Sequence, residues 1–130
     1  MNMPHDLRYT RNDEWIRAEG TLGTCGITDY AQSQLSDVVF FEVRPAVGAK
    51  VAQGEAIGTV ESVKAASEIY APVTGTVTEV HQDLAKAPET INRDPYGEAW
   101  MIRFQIADPQ QVQALMDAAA YEKYCQERSH

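Results

Sequence analysis

Through the middle of the chain, apolar positions alternate with polar ones in short runs broken by glycine and proline, a period-2 pattern that predicts strands. Residues 15–17 and Leu22–Ile27 flank Glu19-Gly20-Thr21, which reads as a hairpin turn. Thr28 or Asp29 is placed to cap a short helix running to about Leu35. The nearly continuous apolar run Val38–Val43 predicts a buried strand. Residues 56–63 and 67–70 read as two strands joined tightly at 64–66, and Ala71-Pro72 ends the second. Over 73–80, Thr74, Thr76 and Thr78 share one face, and Val73, Gly75 and Val77 share the other. Residues 83–86 read as a helical turn, and Asp94-Pro95-Tyr96-Gly97 has the residue order of a type I turn.

Trp100, Ile102, Phe104 and Ile106 share a face of the next predicted strand. Asp108 then caps a helix with Pro109 at its first position and Gln111 at the reciprocal capping position. Val112, Leu115 and Met116 form the apolar face of that helix. A last helix over 118–126 brings Ala118, Tyr121, Tyr124 and Cys125 together. The Val/Gly-rich stretches around Val47-Gly48…Val51…Gly54 and Val73…Gly75…Val77 echo each other on either side of Lys64, a pattern that a pseudo-two-fold sandwich produces and that chance produces as well. Taken together, the elements predict a mainly β (α+β) body with terminal helices packed on it.

At 130 residues the chain has the length of one domain. Nineteen acids against eleven bases give a net charge of -8 and a pI near 4.7, which argues against a nucleic-acid partner. No apolar run approaches the roughly 20 residues of a membrane span. The N-terminal segment has neither a signal core nor an Arg-rich transit pattern, so a cytoplasmic location is expected. Cys25 and Cys125 form no C-x-x-C and read as reduced thiols. His5, His81 and His130 lie at no metal-ligand spacing, and no G-x-S-x-G elbow or phosphate loop occurs. A metal site and a catalytic site are therefore not expected.

Chemistry concentrates at Lys64. It is the only Lys or Arg in residues 51–85, a stretch that also holds Glu55, Glu61, Glu68, Glu79 and Asp83. It falls where two strands reverse, beside the small residues Ala65-Ala66-Ser67. A hairpin tip holds its central side chain in solvent. Such an isolated amine suits acylation by a modifying enzyme, which removes its charge and leaves a tethered arm with high effective concentration at partner sites. An ordinary solvated loop lysine accounts for the same pattern.

The segment Val60-Glu61-Ser62-Val63-Lys64-Ala65-Ala66-Ser67 resembles the lipoylation motif of the glycine cleavage system H protein family. The likeness continues in family order through Glu14-Trp15-Ile16-Arg17, Gly26-Ile27-Thr28-Asp29-Tyr30-Ala31-Gln32, Ala71-Pro72-Val73-Thr74-Gly75, Asn92, Asp94-Pro95-Tyr96-Gly97, Trp100-Met101-Ile102 and Ala120-Tyr121. It spans residues 7–124, nearly the whole chain.

This resemblance implies a lipoyl/biotinyl-type barrel-sandwich hybrid of two antiparallel sheets. It implies a single lipoyl-carrier domain over 1–130, with a core over 7–107 and C-terminal helices over 109–127. Lys64 would carry lipoate as an amide. The family takes an aminomethyl group from the pyridoxal-phosphate glycine decarboxylase and passes it to the tetrahydrofolate-dependent aminomethyltransferase. Dihydrolipoyl dehydrogenase then reoxidises the arm. The chain itself would be a shuttling substrate, not an enzyme.

By the same resemblance, Glu61 and Gly75 are where lipoylated domains carry recognition features for the attaching lipoate ligase or lipoyl/octanoyl transferase. A carboxylate near a water-poor cleft would pair with the ammonium of the cargo. Glu14, beside Trp15, and Glu68 are placed there. Other members often have histidine where Gln34 stands, which puts a contact there in doubt. Two alternatives are a biotin carrier domain, which flanks its lysine with methionines where this chain has Val63 and Ala65, and an unmodified β-sandwich that binds partners.

Overall fold

The computed structural model describes residues 1–128. His130 lies outside the described residues. The strands are β1 (Arg8–Tyr9), β2 (Glu14–Glu19), β3 (Leu22–Ile27), β4 (Val38–Val43), β5 (Lys50–Val51), β6 (Ala56–Ser62), β7 (Ala66–Tyr70), β8 (Gly75–Val80) and β9 (Ile102–Ile106). The helices are α1 (Asp29–Leu35), α2 (Thr90–Arg93), α3 (Pro109–Gln113) and α4 (Ala118–Arg128), with a 3-10 turn at Gln82–Lys86. Six strands form one antiparallel sheet in the order β1-β2-β3-β9-β8-β5, and three form a second in the order β4-β6-β7. The expected two-sheet, mainly β architecture is the observed one.

Inward positions of both sheets meet in one core. Cys25, Ile27, Val77, Ile102 and Phe104 from the large sheet pack with Val38, Phe41, Ile57, Val60 and Ile69 from the small one. Each such side chain contributes about 1.5–3 kcal/mol on burial. On its outer side the large sheet is covered by helices. Tyr121, Ala118 and Cys125 of α4 close over Leu7, Tyr9 and Trp15, with the Tyr9 and Tyr121 rings stacked at 4.5 Å. Val112 and Leu115 cover Ile16, Val73 and Ile106. The two Val/Gly-rich stretches that echo each other are in fact partners, with Lys50 opposite Thr76 and Val51 opposite Gly75.

Local chemistry accounts for the element ends. Gly20 turns the β2–β3 hairpin with φ +63°, a conformation that glycine adopts without a side-chain clash. Thr28 caps α1, its hydroxyl accepting from the Ala31 N–H at 3.1 Å. Asp108 caps α3 by accepting from the Gln110 N–H.

Three expectations need correction. β4 is not wholly buried: its register shifts between Val38 and Phe40, which turns Val39 and Phe40 outward at 55% and 41% exposure. Trp100 precedes β9 and does not join its inward face; its ring lies between His81, stacked at 4.3 Å, and the Arg103 guanidinium at 4.0 Å. Gln111 does not close a capping box, because its side-chain oxygen accepts from the Thr74 N–H at 2.7 Å and so ties α3 to the start of β8. The short helix α2 has no distinct sequence signal; Asn92 within it ties it to α1 and to the segment before β4.

Candidate functional site

Lys64 sits at the tip of the β6–β7 hairpin, where Glu61 pairs with Ala66 and Val60 with Ser67. The reversal is closed by backbone and by one hydroxyl. The Ser62 N–H donates to the Ala65 carbonyl at 2.7 Å. The Ser62 Oγ accepts from the N–H groups of Lys64 (3.3 Å) and Ala65 (3.1 Å) and donates to the Ala65 carbonyl. These bonds fix the backbone and leave the Lys64 side chain exposed. Among the described residues it enters no ion pair. Val63 beside it is 70% exposed, an uncommon state for valine.

The segment between α1 and β4 braces the tip. The Val63 N–H donates to the Asp37 carbonyl at 3.1 Å. Asn92 on α2 holds that segment by donating to the Ser36 carbonyl (2.7 Å) and the Gln32 side chain (3.0 Å) and accepting from the Val38 N–H (2.9 Å). Gln34 is exposed on α1. Asn92 belongs to the sequence resemblance, but its clamping role depends on contacts more than fifty positions away.

The other expected residues fall in different settings. Glu61 is partly exposed on β6, with Ala66 on one side and Phe40 on the other. Gly75 is buried opposite Ile106, and a Cβ there would stand 2.5 Å from the Gln105 carbonyl oxygen. The close approach of β9 therefore demands glycine, whatever an enzyme reads. Glu68 is exposed on β7, and both its carboxylate oxygens accept from a single Arg44 amino group, at 3.0 and 2.8 Å. The sequence offered no sign of Arg44, which lies 24 positions away.

Glu14 is the exceptional acid. Only 1% of it is exposed, yet it carries an ionisable carboxyl. Its carboxylate accepts from the Thr10 hydroxyl and, at 3.1 Å, from the Tyr70 N–H at the end of β7. Burial pushes its pKa up to about 7, against the opposing pull of the Thr10 and Tyr70 bonds and with a further push from the Asp13 charge. It borders a cavity of about 330 Å³ lined by Thr10, Gln53, Tyr70, Pro72 and Leu115 among others. Glu14 thus ends near the base of the strand whose tip carries Lys64, while Glu68 remains paired to Arg44.

Among the described residues no group of His, Cys, Asp and Glu is arranged to hold a metal. His81 is engaged with Trp100, its Nδ1 lying 2.6 Å from the Trp100 carbonyl oxygen. Cys25 and Cys125 are buried and unbridged. No helix among the described residues is long and apolar enough to cross a membrane.

Comparison with known proteins agrees with this arrangement. A family model described as glycine cleavage H-protein matches residues 7–128. A glycine cleavage system H protein of Anaeromyxobacter sp. (strain K) is 54% identical over 128 residues, covering 98% of this chain and 99% of its own. One of Symbiobacterium thermophilum is 48% identical over 126 residues, covering 97% of this chain and 98% of its own. The crystal structure of a glycine cleavage system H protein from Mycobacterium marinum superposes with a TM-score of 0.84 at 34% identity, covering 98% of this chain and all of that one. A projecting hairpin lysine, a two-sheet sandwich and a full-length match place this chain in the glycine cleavage H-protein family, the non-catalytic carriers that shuttle intermediates between the enzymes of glycine cleavage.

Proposed function

We propose that Lys64 is the lipoyl attachment site. Through it the chain carries the aminomethyl group from glycine decarboxylase to the tetrahydrofolate-dependent aminomethyltransferase, and electrons to dihydrolipoyl dehydrogenase. The carrying observation is the tip geometry: one exposed amine, on a turn fixed by Ser62, between two paired strands. That setting fits an amide-linked arm, because the amine can enter an enzyme's site while the backbone stays in place. Lipoate bound there would supply a disulfide able to accept a one-carbon amine and two electrons. Residues 1–130 act as one carrier unit, and the cytoplasm is its proposed location.

The chain's own residues do three things in this reading. Ser62 and the Asp37 carbonyl hold the tip rigid, which limits the entropy lost on docking. Glu61, three positions before the lysine, is offered to the lipoate ligase or lipoyl/octanoyl transferase as a recognition side chain. Gly75 serves that recognition by holding β8 and β9 in close register.

Glu14 shelters the cargo. Strands rise about 3.3 Å per residue, so Tyr70 lies roughly 13 Å below Ala66. A lipoyl-lysine arm has comparable reach and can fold back to the Glu14 carboxylate. A cargo ammonium there would draw Glu14 into its ionised form, and the enclosed setting would strengthen the pair. Glu68 is the second carboxylate of this shelter and must release Arg44 before it can take part.

The test is a reconstituted glycine cleavage assay with glycine, tetrahydrofolate and NAD. Lipoylated wild-type chain is expected to support glycine-dependent NADH formation, and Lys64→Arg to support none. Full turnover by Lys64→Arg would remove the proposal.

A further inference from the structure

The C-terminal end of α4 reaches the turn that presents Glu14. Arg128 donates to both carboxylate oxygens of Asp13, at 2.6 and 3.1 Å. Its guanidinium is held between the rings of Tyr30 and Tyr124, at 4.4 and 4.1 Å from their centroids. Asp13 also accepts from the Tyr121 hydroxyl at 2.8 Å, and that hydroxyl is bonded to Thr28 at 2.6 Å. Exposed ion pairs usually contribute little. This one is two-pronged, sandwiched by aromatic rings and mostly covered, at 28% and 17% side-chain exposure.

The position of Asp13 makes the pair consequential. Asp13 has φ +68°, a left-handed conformation open to Asp and Asn but unfavourable for most residues. It closes the turn between β1 and β2 by donating its N–H to the Thr10 carbonyl, and its own carbonyl accepts from the Thr28 N–H. Glu14 follows at once, and Thr10 bonds both its backbone and its carboxylate. The turn that Arg128 fastens is therefore the turn that aims Glu14 inward.

We infer that Arg128 is a positioning residue for the Glu14 carboxylate, acting through Asp13: on the turn it fastens, it neutralises the charge next to Glu14. Its relevance to cargo rests on the proposed shelter role of Glu14. The titratable and charged groups facing Glu14 are Asp13 on its own turn, Tyr9 and Arg11 before it, Tyr70 at the end of β7, and the buried Cys25 on β3. Of these, Asp13 is the acid whose charge opposes ionisation of Glu14, and Arg128 is its counter-ion.

The test is carboxyl NMR titration of Glu14 in the unmodified chain, with side-chain-labelled glutamate, for wild type, Arg128→Gln and the double variant Asp13→Asn/Arg128→Gln. Asn tolerates the left-handed turn and still accepts from Tyr121, so the double variant keeps the fold. In Arg128→Gln the midpoint is expected to rise by about half a pH unit or more, and in the double variant to return to the wild-type value or below. A wild-type midpoint in Arg128→Gln overturns the inference, as does an equal rise in both variants. Cargo retention is measured separately on the loaded chain. A shifted midpoint with unchanged retention leaves Arg128 as the positioning residue and removes the shelter role of Glu14.

Discussion

Replacing Glu14 by Gln changes how stability depends on pH, and the size of the change follows from burial. The carboxyl titrates near about 7 in the folded chain, against an ordinary value of 4.5. At about 1.36 kcal/mol per pH unit, the difference corresponds to about 3 kcal/mol. The sign is set by which state keeps the proton. Below about pH 4.5 both folded and unfolded chains hold it, and the fold has its full stability. Between about pH 4.5 and 7 the unfolded chain releases the proton while the folded chain retains it, so stability falls as pH rises. Above about 7 both are ionised and the loss stops.

Gln keeps the shape and can still accept from the Tyr70 N–H and donate to the Thr10 hydroxyl, but it does not titrate. Urea unfolding of both proteins, followed by far-UV circular dichroism from about pH 5 to 8, isolates this group because every other titration cancels in the difference. The wild type is expected to lose about 2.5 kcal/mol relative to Glu14→Gln over that range, the rest having been lost below about pH 5, a midpoint change of roughly 1–2.5 M urea. Parallel stability curves would refute the reasoning that burial raises this carboxyl.

Other outcomes follow from single contacts. Gly75→Ala is expected to lose ~1–3 kcal/mol of stability by overpacking against the Gln105 carbonyl oxygen, and an unchanged urea midpoint contradicts this. Glu14→Ala is expected to shorten the lifetime of aminomethyl cargo on the lipoylated chain in a discharge assay, and equal release rates rule the shelter out. With a net charge of -8, association with glycine decarboxylase is expected to slow as salt rises in stopped-flow measurements, and a salt-independent on-rate removes electrostatic steering.

What the chain order encodes is local, and what it hides is distant. The Thr28 and Asp108 caps and the Gly20 turn each depend on atoms within a few residues, and the chain order carries that information. The Lys64 hairpin was legible for the same reason, since strand, turn and strand are contiguous. The outward turn of Val39 and Phe40 was not, because a register shift reverses a strand's faces without changing its composition. Nor was the occupation of Glu68 by Arg44, or the tie from Arg128 to Asp13 across 115 positions. Resemblance and the neighbouring Trp15 point to Glu14, but its burial depends on packing against β7, which no local pattern encodes.

The central proposal is that the carrier's working group is joined to the Lys64 side chain. Intact-mass measurement after co-expression with a lipoate ligase, followed by peptide mapping, addresses that most directly. A single lipoyl adduct on the peptide containing Lys64 is the expected result; an adduct on another lysine, a biotin adduct, or an unmodified chain would contradict the account.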